Sequence, residues 1–523
     1  MGTATPHAAS MVTDPRGAAQ PICGTPRPCV VPPPVRWARF HHVTRLPAGP
    51  SRSRRPALAA AVTGLLGLAL VVPAAAQARA VPEAGSDGMG DPYFPLDGNG
   101  GIDVVEYDIH DAYRYRDGRL QGRTGLTDRA TQDLSSFNLD LLLPTRSVTV
   151  NGEPASFERP NDHELEITPS TPIADGDTFR VRVAYSGRPG RIAWDGERSW
   201  LADRREVVTM NEPHMAAWWF PANDHPRDKA LMDIRITVPQ GKQVIANGHL
   251  LGRTVRDGRA TTRWRAREPM APYNAFFAAG DFAVASGRTG GLPWYTAVSR
   301  SLSDEQRRVS MSMLKRSAGI VRWLESDLGD YPFSTTGGVV TGLSPGFALE
   351  NQTRPTYEAL SRSSTWLMVH ELAHQWFGDS VSVENWHDIW LNEGPATFFE
   401  ARYRATHGGR STGTWLDRWY EMYDAGSSFW NLSIADPGAK NLFDWAVYLR
   451  GGMTLQALRQ RIGDEDFWTV LRRWVSERRD GNGSTEQFAA LAEQVSGEDL
   501  QAFFEAWVRA EEKPADTAAN GLG

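Results

Sequence analysis

The stretch TWLMVHELAHQWFG, residues 365–378, is the segment around which the rest of the chain can be interpreted. An α-helix has about 3.6 residues per turn, so His370 and His374 project from the same face and can bind one metal ion. Glu371 lies one step round the helix, where its carboxylate can reach a water molecule on the metal rather than the metal itself. The remaining positions are largely apolar, which predicts a buried helix that carries a metal site.

A third metal ligand is expected downstream, because catalytic zinc takes three protein ligands and leaves one position open. The segment WLNEGPATFFE at 390–400 offers Glu393, with 18 residues between it and His374. That spacing allows a loop and a return helix. The structural alternative is a pair of core histidines satisfied by carbonyl groups, and the third residue favours the metal site over it.

Composition limits the possible classes of protein. The chain has 523 residues, of which 41% are hydrophobic and 10% aromatic, which indicates a globular protein of two to three domains. Its net charge of −6 comes without a basic patch, so no nucleic-acid partner is expected. Both cysteines, Cys23 and Cys29, precede residue 80. A mature chain without them would have to bind metal through histidine and carboxylate ligands.

Residues 1–80 have the pattern of a presequence with a signal peptide. The basic SRSRRP segment precedes an apolar region at 57–73, and small residues in an A-x-A pattern follow. This predicts a secreted or cell-envelope protein with no stable membrane span after cleavage. An N-terminal membrane anchor is the alternative, since the apolar run is nearly long enough to span a bilayer. Arg54 and Arg55 leave the Sec and twin-arginine export routes both open.

Two regions with different sequence patterns follow the presequence. Short β-type runs separated by Gly-containing turns predict an all-β domain over residues 81–287. Within it, residues 210–226 contain too much Pro, Asn and Asp for a strand, which predicts a long ordered loop packed by its own side chains. Residues 288–523 form the second predicted domain. It includes one amphipathic helix from Asp304 to Leu324, further helices towards the C-terminus, and a frayed end at 516–523.

Several motifs in order resemble the zinc aminopeptidase family that includes aminopeptidase N and leukotriene epoxide hydrolase, which are gluzincin metallopeptidases. They are NEPHMAAWWFPANDHPRDKA at 211–230, FALEN at 347–351, HELAHQWFGD at 370–379, WLNEG at 390–394 and VYLRG at 447–451. The resemblance implies an α+β multidomain fold, with an N-terminal all-β saddle-like domain and a thermolysin-like α/β zinc-peptidase domain ending in helices. The chain ends too soon for a further large helical domain, so it resembles a short, two-domain, secreted bacterial form.

The resemblance also assigns the chemistry of the site. It implies one zinc ion per chain, bound by His370, His374 and Glu393. Glu371 would act as general base on a zinc-activated water and then as general acid to the leaving amine. Tyr448 would donate its phenolic hydrogen to the oxyanion.

Substrate recognition follows from the same resemblance. Glu350 would bind the free α-ammonium of a peptide with Glu212 as its partner across the domain interface, and Ala348 and Asn351 would contact substrate beside them. A buried cation requires such paired carboxylates, so the implied substrates are peptides with a free N-terminus. Phe347 occupies the position of the glycine in the family's G-A-M-E-N motif. Its ring would crowd or reshape the pocket for the first side chain.

Thr397, four residues past Glu393 on the same helix face, is a candidate to support a zinc ligand. Two other functions remain open at the level of the sequence. A thermolysin-like endopeptidase would cleave N-terminally blocked peptides, whereas an aminopeptidase would not. A catalytically silent peptide-binding module would keep the fold without the reaction.

Overall fold

The computed structural model describes residues 81–523, so the predicted presequence and its apolar region at 57–73 lie outside the described part. The strands in chain order are β1 (Glu83–Ala84), β2 (Ile102–Arg114), β3 (Arg119–Ala130), β4 (Leu134–Asp140), β5 (Thr145–Val150), β6 (Glu153–Pro154), β7 (Ser156–Glu158), β8 (Glu164–Thr168), β9 (Thr178–Gly187), β10 (Trp200–Ala202), β11 (Val207–Thr209), β12 (Ala230–Pro239), β13 (Gln243–Ala246), β14 (His249–Arg256), β15 (Arg259–Met270), β16 (Phe277–Gly280), β17 (Phe282–Thr289), β18 (Leu292–Ser299), β19 (Thr336–Val340), β20 (Thr356–Tyr357), β21 (Val381–Val383) and β22 (Gly481–Gly483). The helices are α1 (Asp304–Leu314), α2 (Ser317–Leu328), α3 (Thr365–Ala373), α4 (Trp390–Thr406), α5 (Thr412–Met422), α6 (Trp445–Ile462), α7 (Asp464–Glu477), α8 (Thr485–Ser496) and α9 (Gln501–Phe504).

The N-terminal region is built on an eight-stranded sheet with the order β14-β15-β12-β2-β3-β9-β5-β6. Its neighbours are antiparallel except for the parallel pair β2 and β12. Residues of β2 alternate between buried and more exposed positions, as a strand with one face on a core requires. Two four-stranded sheets, β1-β4-β8-β7 and β10-β11-β16-β13, complete this region. The predicted α+β class with an all-β N-terminal part is confirmed.

The loop at 210–226 contains no strand and includes one short 3₁₀ turn, Ala216–Trp218. Its aromatic side chains are buried, and they pack against the sheets as well as against one another. The ring of Phe220 lies 5.4 Å from that of Tyr107, and the ring of Trp219 lies 5.3 Å from that of Phe277. Packing on two sheets holds the segment in place, together with one isolated antiparallel bridge between Ala222 and Asp140.

The C-terminal region begins with the mixed sheet β17-β18-β19-β20, and its helices share one large apolar core. The predicted boundary after residue 287 falls inside β17, which pairs with β18. None of the helices in residues 81–523 is long and apolar enough to cross a membrane.

Two local predictions for this region are wrong. The helix expected from Asp304 to Leu324 is divided into α1 and α2, and at the break the Ser317 hydroxyl donates to the Leu314 carbonyl oxygen at 2.7 Å. The C-terminal residues expected to fray instead form a 3₁₀ turn at Ala518–Asn520, where the Trp507 indole N–H donates to the Asn520 carbonyl oxygen at 3.0 Å. Such an acceptor stabilises a buried indole N–H.

Candidate metal and catalytic site

Helix α3 positions the first three residues of the site. His370 and Glu371 lie in its last turn, and His374 follows directly after it. Each of these side chains is 2% exposed or less. The helix is buried because its apolar residues, among them Met368 and Leu372, belong to the core of the C-terminal region.

Helix α4 brings Glu393 to the two histidines. Glu393 Oε2 lies 3.3 Å from His370 Nε2 and 3.4 Å from His374 Nε2. Three buried donor atoms of the N and O types that zinc prefers therefore converge on one point. This arrangement fits a zinc ion with three protein ligands and an open fourth position.

The far side of each imidazole is also engaged, which orients the ring towards the metal position. His370 Nδ1 lies 2.9 Å from Glu400 Oε1, and His374 Nδ1 donates to the Phe377 carbonyl oxygen at 3.1 Å. Such contacts leave Nε2 free as the ligand atom. Glu400 was not predicted, although it lies seven residues after Glu393 on the same helix. No hydrogen bond joins Thr397 to a ligand within residues 81–523, so Glu400 has the supporting contact that was expected of Thr397.

The electrostatics of the three ligands favour a cation. Burial alone would lower the pKa of His374, but the charges of Glu393 and Glu350 outweigh it and raise the pKa to about 10. Burial alone would raise the pKa of Glu393, but His374 and His370 outweigh it and hold the pKa at about 2. The site therefore stabilises positive charge, and a divalent cation would bind there in competition with protons.

Glu371 is a buried carboxylate beside the proposed ligands. Burial raises its pKa to about 8, although the charges of His370 and His374 partly oppose this shift. A carboxylate whose pKa is shifted towards neutrality can both accept and return a proton near pH 7.

Helix α6 carries Tyr448 to the site through an unusually close helix crossing. A Cβ atom on Gly394 of α4 would lie 2.9 Å from the carbonyl carbon of Gly451, and one on Gly451 would lie 2.8 Å from the Gly394 Cα. Only glycines allow the two backbones to approach so closely. The Tyr448 ring consequently stacks beside that of His370, with centroids 5.9 Å apart and planes at 19°. Burial raises the pKa of Tyr448, and the negative charges of the nearby carboxylates raise it further. Its hydroxyl therefore stays protonated and can act as a donor.

Two further carboxylates face the same space. Glu350 offers an oxygen within 4.8 Å of ligand atoms of Glu371 and His374. Burial raises the pKa of Glu212, and the charge of Glu350 raises it further, which indicates that these two side chains are neighbours. Oε1 of Glu212 and Oε1 of Glu350 are both buried and have no hydrogen-bond partner among the described residues. Such a pair suits a bound cation.

The loop that carries Glu350 is held from two sides. Gln375, next to His374, donates from Nε2 to the Glu350 carbonyl oxygen at 2.7 Å and accepts from the Thr353 N–H at 2.7 Å. Asn351 donates to the Asn274 carbonyl oxygen at 3.3 Å, so its side chain supports the loop from within the protein. Ala348 and Phe347 are half-buried beside it. Gln375 was not predicted, since its partners lie more than twenty residues away in sequence.

Two family models match this chain. The peptidase M1 N-terminal domain matches residues 131–273, and the peptidase family M1 domain matches residues 338–507, which includes the proposed ligands, Glu371 and Tyr448. The chain belongs to peptidase family M1. Zinc is the cofactor of this family, in agreement with the geometry of the three ligands.

Relatives in this family include longer proteins, of which the matched region covers about half. Aminopeptidase N of Lactococcus lactis subsp. cremoris is 24% identical over 464 residues, which cover 76% of this chain and 50% of that protein. Aminopeptidase M1-D of Oryza sativa subsp. japonica is 26% identical over 422 residues, which cover 72% of this chain and 46% of that protein. The chain thus spans about half the length of these relatives.

A solved family structure matches over nearly its whole length. The M1 zinc metallopeptidase of Deinococcus radiodurans is 28% identical, with a TM-score of 0.75, and the match covers 82% of this chain and 98% of that one. A mutant of that enzyme bound to a Tyr-Ser-Ala substrate gives the same TM-score of 0.75 and the same identity of 28%, over 82% of this chain and 99% of that one. The predicted N-terminal β region followed by a helical peptidase region is therefore a known arrangement in this family.

Proposed function

We propose that this chain is a zinc aminopeptidase that hydrolyses the first peptide bond of peptides with a free N-terminus. The proposal rests on two buried carboxylate oxygens that have no hydrogen-bond partner among the described residues. They belong to Glu350 and Glu212 and lie beside the proposed three-ligand metal site. An α-ammonium group is a cation that both oxygens can bind, and peptides whose N-terminus is blocked lack this charge.

His370, His374 and Glu393 would hold the zinc ion. When bound, zinc supplies Lewis-acid chemistry, polarising the scissile carbonyl and making water more acidic. Glu371 accepts a proton from the attacking water at its carboxylate. It then returns that proton to the nitrogen of the leaving amine, which the raised pKa of about 8 supports.

Tyr448 would donate its O–H to the carbonyl oxygen as negative charge develops there. The raised pKa of Tyr448 keeps this proton on the phenol at neutral pH. Glu350 and Glu212 would fix the N-terminus, and with it the distance from the amine to the first peptide bond. Cleavage after the first residue follows from that fixed distance.

The experiment compares aminoacyl-arylamides with their N-acetylated forms, using the chain from Val81 with and without a chelator. We expect hydrolysis of the free-amine substrates only, lost with chelator and restored by zinc. Glu350→Gln should weaken this preference for the free amine, with zinc content as the control. Hydrolysis of the acetylated substrates at a similar rate would support the endopeptidase alternative, and a zinc-loaded chain without activity would support a binding module.

We also propose that residues 1–80 direct export to the cell envelope or the medium. The proposal depends on the basic, apolar and A-x-A segments of the sequence. N-terminal sequencing of the protein recovered from each cell fraction tests it, and a start near Val81 outside the cytoplasm is the expected result.

A further inference from the structure

A second group of metal-type side chains lies in the N-terminal region, away from the catalytic site. Asp140 ends β4 and Glu164 begins β8, and these two residues face each other across the strand pair. His163 directly precedes Glu164. Each of the three offers a ligand atom, these atoms lie within 4.8 Å of one another, and every side chain is 2% exposed or less.

The spacing of the donor atoms resembles that of the catalytic ligands. His163 Nδ1 lies 2.9 Å from Glu164 Oε1 and 3.7 Å from Asp140 Oδ1. The corresponding distances among His370, His374 and Glu393 are 3.3 and 3.4 Å. One imidazole nitrogen and two carboxylates thus converge in a similarly small volume.

The carboxylates of this group have no Lys or Arg partner among the described residues. Glu164 Oε2 is buried and has no hydrogen-bond partner within residues 81–523. Asp140 accepts hydrogen bonds from Asn99 Nδ2 at 2.9 Å, from the Gly98 N–H at 3.2 Å and from the Asp224 N–H at 2.5 Å, but burial outweighs these contacts and raises its pKa well above its usual value.

Titration supports the same conclusion. Burial raises the pKa of Glu164 to about 9, and the charges of Asp87 and Asp97 contribute to the shift. Burial lowers the pKa of His163, which keeps its imidazole neutral and able to act as a ligand. An imidazole nitrogen beside two carboxylates, with their ligand atoms within 4.8 Å of one another, is a ligand set that divalent transition metals accept.

We propose that Asp140, His163 and Glu164 bind a second divalent metal ion, of the zinc or manganese class. Calcium is disfavoured because it takes oxygen ligands and this group includes an imidazole nitrogen. The ion neutralises the buried carboxylates and fixes the position of His163.

An ion at this position would also affect the loop that contacts the segment carrying Glu212. The Trp194 ring stacks on His163, with centroids 4.1 Å apart and planes at 11°. Three residues further along this loop, Glu197 Oε1 lies 3.1 Å from His214 Nδ1, and His214 is two residues from Glu212. The second ion therefore orders a loop that supports the segment carrying the proposed amine-binding carboxylate. This last consequence rests on the proposed function, whereas the metal site itself does not.

The test measures metal content. The purified chain is stripped with chelator, reloaded with Zn²⁺ or Mn²⁺, desalted, and analysed by mass spectrometry for metal per chain. We expect two equivalents in the wild type, one in Glu164→Gln, one in His370→Ala and none in the double variant. Glu166→Gln is the matched control, because Glu166 lies on the same strand and accepts only from the Ser136 hydroxyl at 3.1 Å. It should retain two equivalents.

A thermal measurement separates a metal site from a shared proton. Zn²⁺ should raise the Tm of His370→Ala, in which the catalytic site is broken, and should not raise the Tm of the double variant with Glu164→Gln. Glutamine mimics a protonated carboxyl group. If the cluster only shares a proton, Glu164→Gln therefore leaves the metal content of the chain unchanged. One equivalent in the wild type under saturating Zn²⁺ and Mn²⁺, or two equivalents that persist in Glu164→Gln, would overturn the proposal. Neither result depends on peptidase activity.

Discussion

Replacing Gln375 by methionine tests whether the turn after α3, next to the proposed ligand His374, positions the loop that carries the proposed amine-binding residue Glu350. Gln375 is fully buried, and its side chain satisfies two backbone groups, the Glu350 carbonyl and the Thr353 N–H, each at 2.7 Å. It also accepts from the Tyr331 hydroxyl at 3.3 Å, but that hydroxyl has a second acceptor in the Thr335 carbonyl oxygen. Methionine has a similar volume and no hydrogen-bonding amide. The change therefore leaves both backbone groups without a partner and creates little empty space.

The expected free-energy cost follows from the two backbone groups that lose their partner. A buried backbone group left unsatisfied costs about 1–3 kcal/mol, so the loop loses roughly 2–6 kcal/mol if it keeps its position. Thr353 also has a positive φ of 68°, a conformation that a non-glycine residue keeps only when its surroundings hold it. We expect the loop to relax and Glu350 to move, because that is less costly than leaving two buried groups unpaired.

The assay measures kcat and KM for aminoacyl-arylamides. Displacement of Glu350 should raise KM about 10- to 100-fold, equivalent to about 1.4–2.7 kcal/mol of lost binding, with a smaller change in kcat. Zinc content should stay unchanged, since His374 keeps its own contact with the Phe377 carbonyl. Gln456→Met is the matched control: Gln456 is a buried glutamine on α6 whose amide contacts Gln460 at 3.3 Å.

Two results would contradict this reasoning. If Gln375→Met changes KM by less than twofold, the hydrogen bonds to Glu350 and Thr353 do not position the amine-binding group. If zinc is lost and KM stays the same in the remaining loaded fraction, Gln375 acts through His374 and not through the loop.

Three further predictions concern the surroundings of the site. Gly451→Ala would place a Cβ atom 2.8 Å from the backbone of α4, so it should displace Tyr448 and lower kcat at least about tenfold in the arylamide assay, without loss of zinc. Glu400→Ala removes the carboxylate 2.9 Å from His370 Nδ1 and should weaken zinc affinity about 10- to 100-fold in competition with a chelator; unchanged affinity would exclude a supporting role. Burial alone would lower the pKa of His214, but Asp97 and Glu197 outweigh burial and raise this pKa well above its usual value. Its stabilisation is therefore complete below about pH 6.5 and declines as pH rises through the folded pKa, so the difference in Tm between wild type and His214→Gln should shrink from pH 6 to pH 9.

Much of the catalytic centre could be predicted from short-range sequence patterns. The helical period places His370 and His374 on one face, and an 18-residue interval leaves room for a loop before Glu393. These relations hold within a single helix or between consecutive segments. A short β-type run likewise indicated the strand that is β2, whose residues alternate between buried and more exposed positions in the structure, and the α+β fold class is confirmed.

Other features depend on segments that meet only in the folded chain. Gln375 contacts Glu350 across 25 residues of sequence, and Gly394 meets Gly451 only because α4 and α6 cross there. The break between α1 and α2 falls inside a continuous amphipathic pattern, so periodicity does not detect it.

The sequence by itself determined which chemical groups the protein has, and that the proposed ligands His370 and His374 share one face, because helix geometry is local. Only the tertiary structure decided which carboxylates lie beside the proposed metal site, which carboxylates gather around His163, and which glycines let helices touch. Those contacts are selected by the burial of two extended apolar cores, and burial is a property of all the packed segments together.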